Sequence, residues 1–103
     1  MKYERTEQFK RDYRSLSKTE RDEFKHTVLD HFAPAAERFA SEPGGGWPPR
    51  LRVKGVVGAP GVWEMTWSFT DPDGRATWEW IKIEGESGIR WRRVGGHSIF
   101  GNP

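Results

Sequence analysis

The stretch that decides the fold is residues 62–83, VWEMTWSFTDPDGRATWEWIKI. In its first part Trp63, Met65, Trp67 and Phe69 fall on every second residue, with Glu64, Thr66 and Ser68 between them. Successive strand side chains point to opposite faces, so this spacing predicts a strand with one apolar and one polar face. Asp71-Pro72-Asp73-Gly74 predicts a tight turn, because proline fixes φ and glycine accepts a positive one. Residues 75–83 resume the β pattern and close a hairpin. Residues 89–94, IRWRRV, predict a further strand beyond the polar segment Glu84–Gly88. Upstream, Leu51 and Val53 alternate with Arg52 and Lys54 and predict one more strand, ahead of the turn-rich GVVGAPG at 55–61.

The first half has a different period. Lys2–Arg5 fits a short opening strand, and from Glu7 the apolar residues Phe9, Tyr13 and Leu16 are spaced by four and three, which marks one face of a helix. Ser17-Lys18-Thr19-Glu20 is a capping box that starts a second helix, with Phe24, Val28, Leu29 and Phe32 as its expected buried stripe. The short link through Ser15–Ser17 makes an antiparallel helical hairpin. Pro34 must kink the helix or begin a new turn, after which Ala35, Ala36, Phe39 and Ala40 carry helix to Ser41. Residues 41–49, SEPGGGWPP, suit neither helix nor central strand and form the crossover. The order β-α-α-β-β-β-β predicts an α+β single domain over 1–103, a helical hairpin packed on one face of a mostly antiparallel sheet. The opposite face is expected to be open and polar, a platform for RNA.

With 103 residues the chain has room for one core. Hydrophobic residues make up only 34%, so six Trp and six Phe must supply much of the packing. Tryptophans 63, 67, 78, 80 and 91 are assigned to the core by strand parity, while Trp47 either caps it or meets a partner. The absence of cysteine excludes disulfides and thiolate metal sites. No apolar stretch resembles a signal peptide or membrane span, so the cytoplasm is expected. The net charge of +2 resides in residues 47–103, which hold eight basic and six acidic residues. Gly88–Pro103 carries Arg90, Arg92, Arg93 and His97 with no acid, which points to a phosphate-bearing partner.

The words LRVK (51–54), GVWEM (61–65) and the Gly-His close of IRWRRVGGHSIF (89–100) resemble the second half of RelE/ParE superfamily toxins, particularly the RelE-like messenger RNA interferases. The similarity covers residues 50–100, and the helical hairpin extends it more weakly. The resemblance implies the toxin of a type II toxin–antitoxin system, bound by a cognate antitoxin. RelE-like members cut messenger RNA on the ribosome, where contacts with 16S ribosomal RNA are open to them. They need neither metal nor cofactor: the ribose 2′-hydroxyl attacks the adjacent phosphate, and the protein moves protons and neutralises charge. Two other outcomes stay open under the same resemblance, a ParE-like DNA gyrase poison and a toxin fold that binds without chemistry.

The resemblance selects candidate residues. His97 matches the family's C-terminal histidine, its imidazole suits proton transfer at neutral pH, and Gly95-Gly96 let the backbone turn before it. Arg75 matches a phosphate-binding arginine, a role suited to a bidentate guanidinium. Glu64 would face the open side, as general base or partner of His97, or else in an ion pair with an arginine. Arg52, Lys54, Arg90 and Arg92 are the candidate RNA-binding residues, Arg93 having the opposite parity. The chain departs from the family in offering Glu64 and Thr66 where lysines are usual, and Phe100 where some relatives have a catalytic tyrosine. His26 and His31, five residues apart, are expected on different faces of the second helix, without a metal.

Overall fold

The computed structural model describes every residue except Pro43 and Asp71, so those two positions of the predicted crossover and turn lie outside the described residues. β1 (Lys2–Arg5) leads into α1 (Glu7–Ser15) and α2 (Lys18–Thr27), and a π-helical turn at Val28–Phe32 joins α2 to α3 (Ala33–Ser41). The second half holds β2 (Lys54–Gly55), β3 (Trp63–Ser68), β4 (Gly74–Ile83) and β5 (Glu86–Gly95). A 3-10 turn at Pro49–Leu51 precedes β2 and another at His97–Gly101 follows β5. The five strands form one sheet in the order β1-β5-β4-β3-β2. β1 runs parallel to β5, and the other three pairings are antiparallel. The α+β architecture is the one expected from the sequence.

Local chemistry places the helices. Thr6 Oγ1 caps α1 by accepting from Phe9 N–H at 3.0 Å. The capping box of α2 is complete, with Glu20 N–H donating to Ser17 Oγ and Ser17 N–H donating to Glu20 Oε1. Pro34 has no N–H to offer the helix, and the chain adjusts one residue earlier: Ala33 N–H reaches back five residues to Val28 O. The wider turn corrects two expectations. Leu29 leaves the apolar stripe and is 69% exposed, whereas Thr27 is buried and donates its hydroxyl to Trp67 O. His26 and His31 share a face after all, their rings edge to face at 6.1 Å, because residues five apart become neighbours on a π turn.

The core is aromatic. Phe24 packs against Trp67 and Trp91 with ring centres 5.9 and 5.4 Å apart, and Phe32 lies 4.9 Å from Trp91. Trp47 stacks on Phe32 and Phe39 at 5.3 and 5.5 Å, so it caps this cluster from the crossover loop.

The strand predicted from Leu51 and Val53 is shorter than its alternation implied. Pro48 and Pro49 set up a 3-10 turn with Leu51 N–H bonded to Pro48 O and Arg52 N–H to Pro49 O. Leu51 is buried by that turn, Arg52 takes a left-handed φ of 49°, and pairing begins only at Lys54. Two bulges also break simple parity. In β3 the register shifts between Thr66 and Ser68, and Phe69 emerges 39% exposed instead of joining Met65 and Trp67 in the core. In β5 the register shifts so that Thr77 faces Arg93 and Trp78 faces Trp91. The buried residues are consequently Ile89, Trp91 and Val94, and Arg92 and Arg93 both lie off the core.

Candidate functional site

The sheet face away from the helices carries the polar residues, and the segment after β5 partly covers it. Glu64, Thr66, Arg75 and Thr77 are buried there, which corrects the expectation of a wholly open face. Thr77 Oγ1 donates to Pro103 O at 3.0 Å, and the Phe100 ring centre is 6.0 Å from Arg75 Cζ. The returning segment thus roofs part of the sheet.

Arg75 is the hub. It stands opposite Thr66 on β3 and Gly95 on β5, at the start of β4. Trp67 fixes that start by donating its indole N–H to Arg75 O at 2.9 Å. A Cβ on Gly74 would come within 2.5 Å of the same indole, so only glycine lets the ring lie across the strand end. Arg75 is 7% exposed, and its guanidinium bonds through Nη1 to Thr66 Oγ1 and places Nη2 3.4 Å from Glu64 Oε1. Its Nε is 3.6 Å from Asp73 Oδ2 and, among the described residues, is buried without a hydrogen bond.

Asp73 joins this hub to His97. The His97 Nε2 lies 2.6 Å from Asp73 Oδ1, and Arg52 Nη1 lies 3.8 Å from Asp73 Oδ2. The His97 hydrogen bond, followed by the charge of Arg75, holds the Asp73 carboxyl below the usual carboxylate range. Asp73 is therefore ionised at neutral pH and the facing Nε2 must carry hydrogen. The imidazole itself is 58% exposed at the first position of its 3-10 turn, edge to face with Phe100 at 5.9 Å. Glu64 is 6% exposed and engaged by Arg75, the ion-paired alternative of its two readings.

The structure thus brings His97, Arg75, Glu64 and Arg52 into one cluster and adds Asp73, which the sequence presented only as a turn residue. Lys54 is exposed and in register with Glu64 at the cluster's edge. Arg90 and Arg92 lie elsewhere on the face. Arg90 is near Glu4 and Glu79, at 3.4 and 3.8 Å, and Arg92 bonds Glu79 at 2.7 Å and Pro103 O at 3.2 Å. Arg93 grips Asp12 of α1 at 2.7 Å and donates to Asn102 O. Among the described residues, no helix is long and apolar enough to cross a membrane.

No protein-family model matches the chain, and no curated protein sequence matches it. Two solved structures are similar over nearly its whole length. The free E. coli toxin RelE, in a form with two arginines replaced by alanine, matches with a TM-score of 0.57 at 16% identity, covering 97% of this chain and 90% of that one. The intact E. coli RelBE toxin–antitoxin complex matches with a TM-score of 0.54 at 15% identity, covering 92% and 94%. At that low identity the likeness over nearly the whole chain establishes one conclusion: this chain has a RelE-like toxin fold.

Proposed function

We propose that this chain is the toxin of a toxin–antitoxin pair, a metal-independent, ribosome-dependent endoribonuclease that cuts messenger RNA in the cytoplasm. The observation that carries the reading is the His97–Asp73 hydrogen bond beside the buried Arg75. In the reaction the 2′-oxygen attacks phosphorus and the bond to the 5′-oxygen breaks, leaving a 2′,3′-cyclic phosphate and a 5′-hydroxyl. Asp73 orients the ring through Nε2, and Nδ1 of the imidazolium delivers the proton to the departing 5′-oxygen. Arg75 neutralises the phosphorane. Glu64 holds Arg75 in place, so the 2′-hydroxyl passes its proton to a group outside this cluster. Exposed Arg52 and Lys54 contact the RNA backbone. The similarity to a toxin solved with its antitoxin supports a protein partner, and an acidic or amphipathic segment of that partner covers the same basic residues.

Expression without an antitoxin should arrest growth and yield codon-phased messenger cleavage. His97→Ala should lower cleavage by about 10²-fold or more. Asp73→Asn should lower it less and move its pH profile. Full cutting by His97→Ala overturns the site assignment, and double-strand breaks with an SOS response but no messenger cleavage would support a gyrase poison instead.

A further inference from the structure

Beside the His97–Asp73 pair lies a second feature, which shares Asp73 with it. A cavity of about 250 Å³ is lined by Arg52, Thr66, Phe69 and Asp73. Phe69 is out of keeping with its neighbours: the β3 bulge turns it from the core, and it stands 39% exposed at the cavity wall. The Arg50 guanidinium lies over its ring, 4.4 Å from the centre, and holds it there. Arg50 does not line the cavity, so part of the ring that it leaves uncovered does.

We infer that this cavity is a nucleobase subsite, in which one unpaired base of the RNA stacks on Phe69 while Asp73 and Arg52 meet its polar edge. The inference rests on the nuclease reading and names the part of the substrate the site grips. An aromatic face recognises a base by stacking in any sequence, and a carboxylate beside a guanidinium offers an acceptor and donors to the edge of the stacked base. Asp73 belongs to both features. A base on Phe69 is therefore anchored next to the imidazole, and its own ribose and phosphate are the ones that His97 and Arg75 can reach. A solvated phenylalanine with no ligand would instead be a plain loss of core packing.

A single-stranded RNA oligonucleotide carrying 2-aminopurine at successive positions tests the inference, since stacking on an aromatic ring quenches that base. Wild type and Phe69→Tyr should quench one position, whereas Phe69→Ala should lose the quenching and bind about tenfold more weakly. Thermal melting of Phe69→Ala should stay close to wild type, as expected for a half-exposed ring. Equal quenching by Phe69→Ala, with codon-phased cleavage intact in cells, overturns the subsite and leaves the nuclease reading standing. Absence of cleavage by the wild type removes both.

Discussion

Arg75 and the trio Arg90, Arg92 and Arg93 lie on one sheet face, yet their surroundings give them opposite capacities. Arg75 is buried between Glu64 and Asp73, with its Nε lacking a hydrogen bond among the described residues. The trio is more exposed and already matched: Glu4 and Glu79 take Arg90 and Arg92, Asp12 takes Arg93, and the carbonyls of Asn102 and Pro103 take further donors. A cluster of positive charge in the sequence is therefore no measure of free charge on the surface. The arginines that looked most available fasten the last residues and α1 to the sheet, and the one with spare capacity is inside.

The largest expected effect comes from breaking the buried side of this comparison. Arg75→Ala leaves the buried Glu64 without its partner, at a cost of about 3–5 kcal/mol, the usual result of removing one member of a buried pair. Urea or thermal unfolding measures it. Replacing both partners, Arg75→Met with Glu64→Leu, should recover most of that loss, because two apolar groups need no solvation. A double variant no more stable than Arg75→Ala would show that the pair does not act as a unit.

On the other side of the comparison, Asp12 is the anchor to test. Burial opposes its charged form, but hydrogen bonds from Arg93 and from Val94 N–H outweigh that and lower its pKa. Asp12→Asn should cost about 1.5–3 kcal/mol at neutral pH, as for a hydrogen bond to a charged group. The sign follows from the lowered pKa: the unfolded chain binds more protons, so stability from Asp12 is complete above about pH 4 and fades as pH falls below it. Wild type should lose its advantage over Asp12→Asn in that acid range, and a constant gap in unfolding free energy across it would contradict the assignment.

These residues also mark what was legible in the sequence. The opening strand, the capping box of Ser17 and Glu20, and the β3–β4 hairpin are local patterns with local causes, and they stand where the sequence puts them. Apart from the strand shortened by the Pro48–Pro49 turn, the misplacements come from one-residue phase shifts. The π turn before Pro34 turned Leu29 outward, and the β3 and β5 bulges released Phe69 and set Arg92 and Arg93 on the same side. A bulge depends on pairing with a distant strand, and periodicity within one segment carries no trace of it. Asp73 was hidden for another reason. Aspartate before glycine is ordinary turn chemistry, and its role depends on His97, 24 residues away. The strand Arg–Glu alternatives at Glu64 could be listed from residue types, but only the register with Thr66 and Arg75 selects between them.

The smallest expected effect tests whether the outer arginines matter at all. Arg90 has a partly exposed side chain, and its nearest carboxylates, on Glu4 and Glu79, lie at 3.4 and 3.8 Å, distances at which water competes and salt screens. Arg90→Ala should change unfolding free energy by no more than about 1 kcal/mol. It should also leave messenger cleavage within about twofold of wild type, since a rim charge of this kind contributes mainly to the speed of encounter. The two measurements separate cases that the sequence could not. A loss of cleavage without a loss of stability would return Arg90 to the RNA-binding residues and make the outer trio part of the substrate path, with the acids on Glu4 and Glu79 acting as its competitors. An unchanged cleavage rate confines substrate contact to the side of the sheet that Arg52, Arg75 and His97 share.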